Sequence, residues 1–250
     1  MRLKSIIYLL VERLLAPVTD RIVCISEAEK DSAQKKHVGK GDKLKLIPNG
    51  INIEGVRLAI AKSREELGVD THAYVVGMIG RLTPQKAPDI FIRAANLIKK
   101  RIPQAAFMIV GDGDMATEIV RYAEKHHLPL YVTGWTDEPY TYLKMFDVAL
   151  LLSRWEGFGL AVVEYMAAEK NVVATRTDAL PTLIDDGIDG LLVEVDSPEN
   201  ACEKVVWIYE HPNEAEQMRK AALKKVYEKY DIQRVADQHV DMFKELMSEK

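Results

Sequence analysis

The chain has 250 residues, 48% of them hydrophobic and 29% charged, with a formal net charge of -4. These values are ordinary for a soluble globular protein long enough to bury a real core. The negative charge, with no basic run carrying interleaved aromatics, argues against a nucleic-acid partner. Cys24 and Cys202 lie far apart without metal-ligand spacing and read as two reduced thiols of a cytoplasmic protein. At the front, Met1-Arg2-Leu3-Lys4 precedes the apolar run Ser5 to Val11, which Glu12-Arg13 interrupts. The run is too short to span a bilayer and a weak secretion signal. An amphipathic helix over about Lys4–Leu15 is the better reading, packed in the protein or lying peripherally on the inner face of a membrane. One strand (Arg21–Ile25) and a helix (Ser26–His37) follow, too little for a sheet core of their own. Residues 1–43 therefore read as the tail of a domain whose beginning is absent.

From about Leu44 the pattern changes. Short β-branched runs at Lys45–Ile47, Tyr74–Ile79, Ala106–Val110, Leu130–Val132, Val148–Leu152, Asn171–Ala174 and Leu191–Val193 read as strands. Helical signals fall between them at Pro88–Lys100, Met115–His126, Tyr140–Phe146, Leu160–Glu169 and Pro181–Asp185. Pro88 suits a first helical position and Asp114 an N-cap. The chain then ends in helices alone, at Glu199–Glu210, Asn213–Tyr230 and Ile232–Met247. Such alternation predicts an α/β fold: a doubly wound parallel sheet over residues 44–230, with ligands at the C-terminal strand ends.

Chemistry concentrates at three of those strand ends. Glu156-Gly157-Phe158-Gly159-Leu160 leads into an apolar helix that carries Glu164. An ionised carboxylate among such flanks needs a polar partner, and the glycines leave helix-start amides open to phosphate. A plainer reading makes Ser153 and Glu156 a capping box and Glu164 a surface residue, but it explains neither both glycines nor the apolar flanks. Gly80-Arg81 and Lys86 share one loop, where arginine suits bidentate oxygen contacts and lysine supplies a compact charge, together fit for a diphosphate. Gly111-Asp112-Gly113-Asp114 mimics a dinucleotide fingerprint, yet no acidic residue ends the next strand. A tight turn with an N-cap accounts for both aspartates without a metal, and the six histidines show no ligand spacing.

In order and spacing, these landmarks resemble retaining glycosyltransferases of the GT-B group, family four. The elements that match are Asp20 to Ser26, Pro48-Asn49-Gly50-Ile51, Gly80-Arg81 with Lys86, Gly111-Asp112-Gly113, and Glu156 to Leu160 with Glu164. The resemblance implies a Rossmann-like donor domain that takes a nucleotide-diphosphate sugar as substrate and uses no cofactor. It makes Arg81 and Lys86 the diphosphate pair, Glu164 the ribose ligand and Glu156 the residue meeting the transferred sugar. The backbone of Gly157, Phe158, Gly159 and Leu160 would line the sugar and phosphates. Catalysis would then rest on Glu156, Arg81 and Lys86. Two departures stand out. Where the family often has Gly-Gly-x-Pro-Glu, the corresponding stretch here reads Thr177-Asp178-Ala179-Leu180-Pro181-Thr182. Relatives also carry a complete acceptor domain, of which residues 1–43 look like a helix–strand–helix remnant, with residues 231–250 crossing back onto it. An acceptor-domain subunit, a homodimer or a membrane contact is then expected to cover the front end. The competing expectation is a regulatory nucleotide-sugar-binding module without transferase activity.

Overall fold

The computed structural model describes residues 3–249; the basic start read at Met1-Arg2 lies outside them. Helix α1 (Leu3–Leu15) leads through a 3-10 turn to strand β1 (Ile22–Cys24), helix α2 (Glu27–Lys35) and strand β2 (Leu44–Leu46). Ser26 starts α2 by accepting from the Glu29 amide at 3.1 Å, while Glu29 Oε2 accepts from the Ile25 amide at 2.7 Å. β1 and β2 pair in parallel as a separate two-stranded sheet, with Ile22 opposite Leu44. This corrects the reading of 45–47 as the first strand of the main sheet. A three-residue strand carries no mark of its partner, and the α2 crossover returns it beside β1. A short helix not anticipated, α3 (Ile53–Leu58), follows, capped by Asn52 Oδ1 on the Gly55 amide at 2.9 Å.

The main sheet is parallel throughout and has six strands in the order β5-β4-β3-β6-β7-β8. They are β3 (Tyr74–Ile79), β4 (Ala105–Val110), β5 (Leu130–Val132), β6 (Val148–Leu151), β7 (Asn171–Thr175) and β8 (Leu191–Val193). Interleaved are α4 (Pro88–Arg101), α5 (Ala116–Lys125), α6 (Pro139–Leu143), α7 (Leu160–Ala167) and α8 (Leu180–Leu183), and then α9 (Pro198–Glu210) and α10 (Pro212–Lys229). β4 and β6 are buried along their whole length, as expected where helices cover both faces. One face packs Val75, Met108 and Ala149 against α3, α7 and the later part of α10. The other packs Val76, Phe107 and Val148 against α4, α5 and α9. The architecture is the Rossmann-like, doubly wound α/β fold that the sequence predicts.

The last helix, α11 (Ile232–Ser248), returns to the front part. Val235 and Met242 pack with Ile47 and Val23, Lys45 pairs with Glu245 at 3.0 Å, and Arg21 with Glu249 at 2.6 Å. Cys24 and Cys202 are buried and unbonded to each other. No described helix is long and apolar enough to cross a membrane. On α1, Ile7, Tyr8, Leu10 and Leu14 stand exposed.

Candidate active site

Strand order places the site. β4 and β5 lie to one side of β3, and β6, β7 and β8 lie to the other, so the winding direction reverses between β3 and β6. Ligands of open α/β sheets lie at such a switch point, outside the C-terminal strand ends. The two loops that border it are 80–87, after β3, and 152–159, after β6.

The first loop is held rigidly. Leu82 donates to the Asp112 carbonyl at 2.9 Å, and Met115 donates back to the Leu82 carbonyl at 3.1 Å. Gly111, at φ 141°, lets the β3 and β4 ends approach, because a Cβ there would run into the Gly80 carbonyl. Asp112 Oδ1 accepts from the Gly113 amide at 2.7 Å. The N-cap of α5 is Met115, a shift from the expected Asp114, since the 111–115 turn closes on Leu82 first. On this framework the Arg81 carbonyl accepts from the Thr83 amide at 2.9 Å, while its exposed side chain makes no hydrogen bond or ion pair among the described residues.

Lys86 reaches across the switch point, its Nζ 2.5 Å from Glu156 Oε2. Ser153 Oγ donates to the same carboxylate oxygen at 3.1 Å, and the Glu156 amide donates to Asp178 Oδ2 at 2.8 Å. Arg154 fastens the two loops together. Its Nη1 and Nη2 grip Asp89 at 3.1 and 2.7 Å, its Nε meets Asp196 at 2.6 Å, and its Nη1 also donates to the Pro84 carbonyl at 2.8 Å. A bidentate arginine–carboxylate pair of this kind fixes geometry as well as adding energy.

Ser153 and Glu156 do share a hydrogen bond, but no helix starts there, which removes the capping-box reading. α7 begins at Leu160 behind Gly159, whose φ of 98° is left-handed. A Cβ on Gly159 would come within 2.5 Å of Leu180 Cδ2. Helix α7 is keyed to β3 by Tyr165, a fully buried residue whose hydroxyl accepts from the Ile79 amide at 2.8 Å. Leu160 is exposed at the helix start, and the Gly157 carbonyl accepts from Ser26 Oγ at 3.4 Å. The Phe158 ring turns inward, edge-on to Tyr230 at 5.9 Å, so only its backbone is available to line the cleft.

The polar partner Glu164 requires is Tyr140, whose hydroxyl donates to Oε1 at 2.8 Å. Burial raises the Glu164 pKa above its ordinary value; the Tyr140 hydrogen bond and the Lys86 charge oppose that rise. Lys86 therefore acts on both glutamates. On the other side of Arg81 lies a cavity of about 550 Å³, bordered by Gly111, Gly113, Trp135, Thr136 and Pro139. Trp135, 79% exposed, offers it a flat apolar wall. Lys86, Glu156 and Glu164 thus meet at the switch point, and Arg81, on the same loop as Lys86, lines the neighbouring cavity. Sequence reasoning missed Tyr140, Arg154, Asp178 and Trp135. Only Ser153 was visible, through its spacing to Glu156.

The fold is a Rossmann-like α/β domain with two cationic side chains, Arg81 and Lys86, on the loop at its switch point. Residues 59–225 match the family described as Glycosyl transferases group 1, and the chain belongs to that family. It is 32% identical over 212 residues to an Escherichia coli UDP-Gal:alpha-D-GlcNAc-diphosphoundecaprenol alpha-1,3-galactosyltransferase, a match covering 80% of this chain and 55% of that protein. It is 27% identical over 218 residues to a D-inositol 3-phosphate glycosyltransferase of Segniliparus rotundus, covering 84% of this chain and 49% of the relative. The chain thus spans about half the length of the curated relatives it matches. Among solved structures, Anabaena HepE in complex with UDP superposes with a TM-score of 0.84 at 20% identity, covering 95% of this chain and 68% of that one. A Rickettsia africae glycosyltransferase gives 0.86 at 18% identity, covering 96% and 67%. The fold is the Rossmann-like domain of GT-B transferases.

Proposed function

We propose that the crevice binds a nucleoside diphosphate sugar and that the chain acts in transferring that sugar, with retention of configuration, to a glycan or lipid-linked glycan acceptor. The observation that carries this reading is the Lys86–Glu156 pair, closed at 2.5 Å on the same loop as an Arg81 whose guanidinium has no hydrogen-bond or ion-pair partner among the described residues. In this reading Arg81 and Lys86 hold the diphosphate, helped by the amides at the start of α7, and Glu164 receives the ribose hydroxyls. Glu156 meets the transferred sugar. As the glycosidic bond breaks, negative charge builds on the departing diphosphate. Preplaced cations and helix amides stabilise that charge more than they stabilise the bound ground state. In this reading the diphosphate is neutralised by side chains without a metal. Binding should therefore be indifferent to a chelator.

Uridine is the base we favour, because the Escherichia coli relative's name specifies UDP-Gal and Trp135 supplies an apolar wall beside Arg81. The acceptor side would come from a further domain, a subunit or a second copy seated on the exposed apolar residues of α1. Peripheral contact with the inner face of a membrane is the other way to cover them. Calorimetric titration with UDP, GDP and ADP tests the donor site. One nucleotide should bind well, and Glu164→Ala should weaken it by about 1–3 kcal/mol. Equal affinity in both proteins contradicts the assignment. Transfer appearing only when an acceptor-side polypeptide is added separates an enzyme half from a purely regulatory module.

A further inference from the structure

The turn after β7 contains a residue whose backbone and side chain make opposite demands. Asp178 has φ 44°, in the left-handed region that glycine adopts freely and a side chain adopts only at a cost. A glycine would relieve that strain, yet it would remove the oxygen accepting from the Glu156 amide at 2.8 Å. The same turn is tied to the neighbouring loop a second time, where Thr177 Oγ1 donates to the Arg154 carbonyl at 3.3 Å. Just beyond, the fully buried Ala179 and Leu180 lock the turn against Gly159. Asp178 is therefore a strained residue on a rigid base, and its side chain points at the backbone of the residue whose carboxylate meets Lys86 and Ser153. Strain of this kind persists where the surroundings overdetermine it, commonly beside a functional group.

We propose that Asp178 is a positioning residue for Glu156. Its carboxylate fixes the Glu156 main chain, so that the Glu156 side chain is aimed at the sugar rather than rotating with the 155–157 loop. The inference rests on the reading above that Glu156 meets the transferred sugar. It adds that sugar discrimination, as distinct from nucleotide affinity, depends on Asp178. Asparagine retains an acceptor oxygen and tolerates the left-handed region, so it should substitute for aspartate in this role.

The test pairs thermal unfolding with calorimetric titration of the full chain, its Asp178→Gly and Asp178→Asn variants, and UDP, UDP-galactose, UDP-glucose and UDP-N-acetylglucosamine as probes. Asp178→Gly should keep or raise the Tm and hold the UDP Kd within about twofold. The spread of Kd among the three sugar nucleotides should shrink at least about fivefold, and Asp178→Asn should keep the native spread. An unchanged spread in Asp178→Gly, or UDP affinity falling together with Tm, overturns the proposal while leaving the donor site intact. A native chain that binds UDP but does not distinguish the sugars overturns it together with the role given to Glu156. A native chain that binds none of the four overturns the donor-site reading itself.

Discussion

The two edges of the six-stranded sheet use the same residue types to different ends. At the N-terminal edge, Arg64 spends its guanidinium on the backbone, donating to the carbonyls of Thr71 and Ala73 at 2.9 Å and of Met145 at 3.2 Å. Lys170 donates to the Lys144 carbonyl at 2.9 Å, and burial pushes its pKa down to about 8. Asp147 accepts from the Val75 amide at 2.7 Å. Each charge there closes a gap in the fold. At the C-terminal edge the Arg81 guanidinium has no partner among the described residues, the Lys86 side chain has a carboxylate, and the Glu164 side chain has a single phenol. Charge type and burial alone do not separate a structural ion from a binding one. On the reading proposed above, spare hydrogen-bonding capacity is what separates them.

The largest effect that would sharpen this contrast is at the structural edge. Arg64→Met should cost about 3 kcal/mol of stability, because three carbonyls lose their donors, and should leave nucleotide affinity unchanged. Denaturant unfolding beside calorimetry reads both quantities; a loss of nucleotide binding at undiminished stability would break the comparison. At the other edge the roles invert. Arg81→Ala should weaken UDP binding by about 2 kcal/mol, roughly thirtyfold in Kd, with stability within about 0.5 kcal/mol of native. Marked destabilisation by that variant would mean Arg81 belongs to the framework.

A smaller effect carries a sign. The folded pKa of Glu164 is raised, chiefly by burial. Between its ordinary value and that raised value the unfolded chain is ionised while the folded chain keeps its proton, so stability falls as pH rises through the window. Glu164→Gln removes this dependence and still offers Tyr140 an acceptor. It should raise the Tm at neutral pH while weakening UDP binding about tenfold, near 1.4 kcal/mol. A Tm lowered at neutral pH would show that Glu164 is structural after all.

What could be read from the sequence follows from distance along the chain. The strands from β3 to β8 were recognisable because each is an apolar run set between helical periods, and Arg81, Lys86 and Glu156 were recognisable because they follow such runs directly. Glu164 stood out as a charge in an otherwise apolar helix. The partners of these residues were not readable. Tyr140 lies 24 residues from Glu164, Asp178 lies 22 from the Glu156 amide it holds, and Arg154 lies 65 from Asp89. Those pairings exist only once the sheet order brings the β3, β6 and β7 ends together. The pairing of β2 with β1 was hidden for the same reason, and α3 escaped notice because it is six residues long and contains Gly55.

A crystal structure of the chain with UDP bound tests the donor site most directly. The expected result is a diphosphate held by Arg81 and Lys86 at the start of α7, with the ribose hydroxyls on Glu164 and the base against Trp135. Nucleotide seated elsewhere, for instance in the cavity of about 420 Å³ between α1 and α2, with Arg81 and Glu164 uninvolved, would contradict it.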